Sequence, residues 1–387
     1  MSSPATLAAE LAALDIEGLR RRRRVLQSPQ RARVTVDGRD YVAFCSNDYL
    51  GLAAHPDLID AARVGAQRYG VGAGASHLIL GHSHAHHQLE AALARFVDLP
   101  AALYFSSGYM ANLGLVTALA GRGDCIYADK LNHASLNDAA LLSRADFRRY
   151  AHLDLAALER LLERSTAKNK LIVSDAVFSM DGDVAPVREL LALAERYDAW
   201  LVLDDAHGFG VLGAHGRGVL EHQRVRSPRI AYMATLGKAA GVYGAFVAGE
   251  RELVDTLVQR ARTYVYTTAT PALIAHALLT SLELIENGHE RRKHLCALVR
   301  RVREGLGAGA WRLLPSDTAI QPLVIGESIE ALAASEKLAA RGLLVPAIRP
   351  PTVPRGTARL RISLSADHTI EDVERLVEAV RSIEARA

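Results

Sequence analysis

Lys238 is the only charged residue between Ile230 and Gly249, a stretch of apolar residues and glycines just past the end of a predicted strand. Burial there would disfavour the ammonium, lower the pKa and leave a nucleophilic amine of the kind that forms Schiff bases. The same placement also suits a lysine that buries its stem and lifts its head to water. Leu201-Val202-Leu203-Asp204-Asp205-Ala206-His207-Gly208 delivers a carboxylate at the C-terminal end of an apolar strand, with His207 three residues on. Ligands of open α/β sheets gather at such ends, although a strand-end Asp taken alone more often caps a turn. Tyr104-Phe105-Ser106-Ser107-Gly108-Tyr109 ends another strand and opens a helix. Exposed amides there suit a phosphate, or a serine simply caps the helix.

Taken together, an isolated amine, a strand-end acid and a phosphate cradle are the three anchors of pyridoxal 5′-phosphate. The lysine forms the imine, the carboxylate keeps the pyridine protonated, and the helix amides hold the phosphate. Other patterns carry less. Gly70-Val71-Gly72-Ala73-Gly74 imitates part of a dinucleotide fingerprint but lacks the preceding apolar strand and the spacing of the third glycine. His82, His84, His86 and His87 look metal-like, yet no Cys or acidic set completes a ligand shell, so no metal is expected. Thr235-Leu236-Gly237-Lys238 only loosely imitates a Ser-x-x-Lys hydrolase motif.

The elements that must position these residues follow from periodicity. Leu7–Val25 reads as an amphipathic helix whose Arg20–Arg24 run forms a solvated face or meets an anionic substrate. Arg33–Phe44 reads as a hairpin around Asp37-Gly38. Beyond Asn47, apolar runs (Ala101–Phe105, Cys125–Ala128, Leu171–Ser174, Trp200–Asp204, Ile230–Thr235, Ala245–Ala248) alternate with helical segments such as Ala111–Ala120, Leu155–Arg164 and Val187–Tyr197. That alternation predicts an α/β domain with a mostly parallel central sheet and helices on both faces. A long helix over Pro271–Asn287 leads to helix Arg291–Leu306, strand Ile320–Val324, helix Ile329–Arg341, strands Leu343–Val345 and Arg359–Ser363, and helix Ile370–Arg386. This reads as a smaller α+β C-terminal lobe. The expected division is 1–46 for the N-terminal helix and hairpin, 47–288 for the large cofactor domain and 289–387 for the small domain.

Composition narrows the class. A chain of 387 residues, half of them hydrophobic and 23% charged, exceeds what one core usually serves. Its net charge of +3 gives no electrostatic case for nucleic acid. Three scattered cysteines suit a reducing, cytoplasmic setting rather than a disulfide framework. Thr263–Leu282 and Ile230–Gly249 nearly lack charge, but their Thr, Pro271, His276 and glycines argue for buried segments rather than membrane spans.

Four spaced motifs carry a resemblance: Asn47-Asp48-Tyr49-Leu50-Gly51-Leu52, Asp175-x-x-Phe178-Ser179-Met180-Asp181-Gly182-Asp183, Asp204-Asp205-Ala206-His207-Gly208 and Thr235-Leu236-Gly237-Lys238. From about Arg20 to the C-terminus the chain resembles the α-oxoamine synthases, fold-type I enzymes dependent on pyridoxal phosphate. Ala347–Pro354 and Thr357–Arg361 look like the biotin-pathway branch, which condenses L-alanine with a pimeloyl thioester of CoA or acyl carrier protein. The resemblance implies that Lys238 is the Schiff-base lysine, Asp204 the partner of the pyridine nitrogen, and His133 the histidine stacked on the ring. His207 and Ser179 would lie near the phenolic oxygen, and Gly108, Tyr109 and Thr235 at the phosphate. Thr268 would reach that phosphate from the other subunit of a homodimer with shared active sites. Arg361 would hold the amino-acid carboxylate, and Asn47, Arg21 and Thr352 would contact substrate.

Two departures stand out. Relatives usually open the second motif with Glu, here Asp175, and one methylene fewer would draw that carboxylate back from the site. Relatives often have Arg after the Gly72–Gly74 stretch, where this chain has Ser76-His77. The competing readings are an oxoamine synthase using glycine or serine with another acyl thioester, and a catalytically silent partner subunit, which the presence of Lys238 opposes.

Overall fold

The computed structural model describes residues 4–385. By compactness the chain divides into two units. One holds the residues up to Tyr49, Met180–Asp183 and the chain from Lys293 on, and the other holds Leu50–Ser179 and Val184–Arg292.

Helix α1 (Pro4–Ile16) is shorter than periodicity predicts. Gly18 sits at φ +65°, a left-handed conformation that only glycine adopts cheaply, and it ends the helix. Residues 20–24 therefore follow in non-helical chain, not on a helix face. Nor is α1 amphipathic in effect, because Leu7, Leu11, Leu14 and Ile16 are all exposed. Strands β1 (Arg33–Val36) and β2 (Arg39–Ala43) pair antiparallel around Asp37 and Gly38, both at positive φ. That is the geometry two-residue hairpins favour.

The larger unit is built on seven strands: β3 (Ala101–Phe105), β4 (Cys125–Asp129), β5 (Asp146–Tyr150), β6 (Lys170–Asp175), β7 (Trp200–Asp204), β8 (Ile230–Thr235) and β9 (Ala245–Gly249). Their order is β3-β9-β8-β7-β6-β4-β5, and only β9 runs against the rest. The inner strands are buried apart from half-buried residues at the ends of β6, β7 and β8, as a sheet covered on both faces requires. Strand β5, Asp-Phe-Arg-Arg-Tyr, has no apolar run to betray it. It is an edge strand with largely exposed side chains, so packing never demanded one.

The helices of this unit are α2 (Pro56–Tyr69), α3 (His84–Phe96), α4 (Gly108–Leu119), α5 (Ala134–Ser143), α6 (Leu155–Glu163), α7 (Val187–Arg196), α8 (Val219–Gln223), α9 (Arg251–Arg260), α10 (Arg262–Val265) and α11 (Ala272–Glu286). Side-chain caps start several of them. Ser107 accepts from the Met110 amide at α4, and Asp154 accepts from the Ala157 amide at α6. Helix α4 packs on β8 and β9, and its buried Ala111, Leu115 and Val116 join Leu103, Phe105, Met233 and Val247 in one core. The two nearly uncharged segments become β8, β9, α10 and α11. Among the described residues no helix is long and apolar enough to cross a membrane.

Helix α12 (His289–Leu306) begins in the larger unit and continues in the smaller. The smaller unit adds β10 (Arg312–Leu313), β11 (Ile320–Gly326), α13 (Ser328–Ala339), β12 (Leu343–Leu344), β13 (Ala347–Ile348), β14 (Ala358–Ser363) and α14 (Ile370–Glu384), the last opened by a Thr369–Asp372 capping box. Four strands order as β10-β11-β14-β13, while β12 adds in parallel to β2 of the hairpin. The N-terminal hairpin is thereby part of the C-terminal unit and not a separate piece.

Candidate active site

Strands β7 and β8 are parallel neighbours, so Asp204 at the end of one and Lys238 just past the other leave the same edge of the sheet. Strand β3 is antiparallel to β9, which is antiparallel to β8, so β3 ends at that edge too and brings Ser106–Gly108 with it. Topology thus gathers the three anchors that the sequence only suggested.

Lys238 Nζ lies 2.9 Å from Nε2 of the buried His207. Asp204 is 6% exposed and doubly held: its Oδ1 accepts the Ala206 amide at 3.0 Å and its Oδ2 accepts Asn112 Nδ2 at 2.7 Å. Asn112, fully buried in α4, also donates to Ser135 Oγ at 2.9 Å, while its own Oδ1 has no hydrogen-bond partner among the described residues. Sequence reasoning missed Asn112. Its signal was a lone amide in an otherwise apolar helix.

His133 caps α5, with Nδ1 2.7 Å from Ser135 Oγ, and its ring is exposed. Its backbone N–H donates to Asp175 Oδ1 at 3.0 Å. Asp175 lies beside Asp204 in the sheet register and is 3% exposed, and burial, reinforced by the Asp204 charge, pushes its carboxyl well above the ordinary range. Asn132 secures the same corner by accepting the Asp175 amide at 3.0 Å and donating to the Val173 carbonyl at 2.8 Å. The shortened side chain at position 175 therefore stays at the strand end and holds the backbone of His133.

At the start of α4, a Cβ added to Gly108 would come within 2.6 Å of Thr235 Cγ2, so only glycine leaves the helix amides open there. Thr235 Oγ1 donates to the Ala206 carbonyl at 3.3 Å. Tyr109 is exposed and turns its hydroxyl to Asp138 Oδ2 at 2.5 Å. Ser179 is half-buried beyond β6, and Thr268, exposed, bridges Ser76. The glycine cradle fits a phosphate, the fixed carboxylate fits a protonated ring nitrogen, and the amine on His207 fits an aldehyde. This donor set fits pyridoxal phosphate. The Gly70–Gly74 stretch follows α2 and not a strand, which removes the dinucleotide reading.

The smaller unit carries its own polar group. Arg361, 5% exposed, donates to Asn47 Oδ1 at 3.2 Å and to Ser363 Oγ at 2.7 Å, and Tyr49 Oη donates to the same Asn47 oxygen at 3.1 Å. Arg20 and Arg22 both pair with Asp15. Arg21, exposed between them, lies near enough to Arg349 that its charge adds to burial in lowering the Arg349 pKa. The Thr352 amide donates to the Arg349 carbonyl at 3.1 Å, so Arg21, Arg349 and Thr352 share one neighbourhood.

Residues 39–380 match the family model for aminotransferase class I and II. Among curated proteins, the chain is 65% identical to an 8-amino-7-oxononanoate synthase of Nitrosospira multiformis, covering 95% of this chain and 92% of that one. It is 62% identical to the protein of the same description from Methylobacillus flagellatus, covering 98% and 96%. Among solved structures, a Sphingomonas wittichii serine palmitoyltransferase superposes with a TM-score of 0.93 at 32% identity, covering 98% and 96% of the two chains. A variant serine palmitoyltransferase from S. paucimobilis, solved with a bound PLP–myriocin adduct, gives 0.93 at 30% identity, covering 98% and 97%. The 8-amino-7-oxononanoate synthase of Francisella tularensis gives 0.78 at 31% identity, covering 88% and 97%.

Proposed function

The chain belongs to the aminotransferase class I and II family and, within it, to the 8-amino-7-oxononanoate synthases, and we propose that it condenses L-alanine with a pimeloyl thioester. Carbon arithmetic fits the product in that name: seven pimeloyl carbons plus three from alanine, less one as CO₂, give an aminated nine-carbon keto acid. A bond forms between alanine Cα and the thioester carbonyl, the thiol leaves, the former alanine carboxylate departs as CO₂, and a proton returns to Cα. The carrying observation is the meeting of Lys238, His207 and Asp204 on one sheet edge, beside a helix start that only glycine keeps open.

When bound, pyridoxal 5′-phosphate supplies a carbonyl that captures amines and a ring that draws electron density from the attached Cα. Lys238, Asp204, His133, Gly108, Tyr109 and Thr235 would hold it, with Ser179 and His207 at its polar edge. Lys238 Nζ removes the Cα proton of alanine, and the hydrogen bond to His207 keeps the amine in place. A positioned base of this kind contributes about 10²–10⁴-fold. The two donors on Asp204 fix its carboxylate so that it can hold a ring nitrogen in its protonated state. His133, anchored through Asp175, would flank the ring and donate to the thioester oxygen.

Arg361 takes the alanine carboxylate on its planar fork, with Asn47 orienting the guanidinium. Arg21, Arg349 and Thr352 offer cations and a hydroxyl to the far carboxylate of the pimeloyl chain. The working form is a homodimer. The exposed Leu78, Ile79 and Leu80 support this, because they lie next to Ser76, which bridges Thr268, the residue assigned to the second subunit's phosphate. Light scattering of the purified protein should give twice the chain mass. The cytoplasm, where CoA and acyl carrier protein reside, is the expected location.

Thiol release tests the reaction. Purified, cofactor-loaded protein is mixed with alanine, glycine or serine and with pimeloyl, acetyl or succinyl thioesters. Alanine with pimeloyl should be fastest, and the CoA and carrier-protein forms compared in parallel identify the donor. Faster release with glycine and succinyl, or none with any pair, overturns the reading.

A further inference from the structure

A π-helical turn over His77–Gly81 and the start of α3 bring three imidazoles together. Their ring centroids are 5.6 Å (His77–His82), 5.1 Å (His77–His86) and 5.8 Å (His82–His86) apart. One nitrogen from each lies within 4.8 Å of the other two, and among the described residues this is the one such group of three. His77 Nδ1 and His82 Nδ1 stand 3.3 Å apart. A tetrahedral ion with metal–nitrogen bonds of about 2.0–2.1 Å has ligand–ligand edges of about 3.3–3.4 Å. One edge of the triangle already has that length. His82 is only half-buried, so a turn of its side chain can shorten the His82–His86 edge, while the His77–His86 edge joins two buried rings.

Each ring is also held from outside. His77 stacks on Tyr264 at 4.7 Å between centroids. His82 turns its other nitrogen, Nε2, towards Glu90 Oε2 at 3.9 Å, and Glu90 is itself fixed by the Tyr104 amide at 3.0 Å. At that distance no hydrogen bond is made, and Glu90 would orient a metal-bound His82 only after closing to hydrogen-bond reach. His86 Nδ1 accepts the Ser83 amide at 3.1 Å and lies 2.9 Å from Ser83 Oγ, while Nε2 lies 3.2 Å from Thr270 Oγ1, so an ion would take Nε2 in place of Thr270, with Nδ1 then donating to Ser83 Oγ. A cavity of about 720 Å³ lined by His77, His82, Glu90 and Tyr264 gives the ion a way in and leaves room for water as fourth ligand.

We propose that His77, His82 and His86 form a divalent transition-metal site, with zinc as its best-matched ion, that pins the π-helical turn to α3. An all-imidazole set with one open position suits zinc, copper or nickel and excludes the oxygen-seeking magnesium and calcium. The sequence offered His82, His84, His86 and His87, and the fold selects His82 and His86 and adds His77.

Equilibrium dialysis of the cofactor-loaded protein against zinc, with bound metal counted by atomic emission, tests the site. One zinc per chain should bind, and cobalt in its place should show the intense visible bands of a tetrahedral site. His82→Asn should weaken binding by at least about 100-fold, and Glu90→Gln by about 10–100-fold. His86→Gln serves as the second ligand variant, with circular dichroism verifying the fold of each. Cys296→Ser, which removes an exposed thiol, should leave binding intact. Equal affinity in wild type, His82→Asn and His86→Gln overturns the proposal, as does loss of binding in Cys296→Ser or no binding by wild type.

Discussion

Lys238 and His207 form a 2.9 Å pair, and in the proposed reaction the amine has two purposes, linking to the cofactor and moving the Cα proton. Lys238→Ala should therefore cost more than one function's worth. Thiol release from pimeloyl-CoA with alanine is expected to fall at least about 10⁴-fold, the upper end of what a positioned base supplies alone. Arg361 differs in kind, since its guanidinium is already braced by Asn47 and Ser363. A lysine at 361 cannot keep those contacts and still present two parallel donors. Arg361→Lys should raise the KM for alanine about 10–100-fold, in line with about 1.5–3 kcal/mol for a hydrogen bond to a charged group. Steady-state kinetics at saturating pimeloyl-CoA measures it.

At the scale of elements, the proposed phosphate site depends on the close approach of α4 to β8. Gly108→Ala places a methyl 2.6 Å from Thr235 Cγ2, and crowding of that order costs about 1–3 kcal/mol. The expected result is pyridoxal phosphate affinity weakened about tenfold or more, read by absorbance titration. Adding Thr235→Ser deletes the opposing Cγ2 and should restore most of it. The strand-end acids of β6 and β7 are likewise an element-level device. Their register places Asp175 beside Asp204, with Asp175 accepting the His133 amide and Asp204 the one proposed for the ring. No reading of either motif alone assigns these separate tasks.

For the molecule as a whole, Asp205 sets a pH term in stability. It is buried, its Oδ2 accepting the Val219 amide at 2.6 Å and the Tyr232 hydroxyl at 2.8 Å, and burial pushes its pKa up to about 7. An unfolded Asp titrates near 3.9. Between those values the folded chain binds a proton that the unfolded chain has lost, so stability falls as pH rises through that window. Wild type should lose up to about 4 kcal/mol between pH 4 and pH 8 from this group, at about 1.36 kcal/mol per pKa unit. Asp205→Asn should lack that slope. Denaturant midpoints at several pH values decide it, and an unchanged slope in the variant would remove the assignment.

What the sequence determined by itself was the inner sheet and the candidate groups at its edge. Fully buried strands must be continuous apolar runs, and an isolated lysine or a strand-end Asp is conspicuous against them. That is why β3, β7 and β8 could be read directly, with Asp204 and Lys238 standing out at their ends as candidates. Where burial made no demand, the reading failed: edge strand β5 had no pattern to show, and a single left-handed glycine ended α1 early. Tertiary structure alone decided which distant groups meet. Asn112 reaches Asp204 across 92 positions, and β12 joins the hairpin from the far end of the chain. His77 enters the imidazole cluster through a π-helical turn that periodicity does not encode. Such contacts depend on chain crossings in three dimensions, and residue spacing along a line carries no record of them.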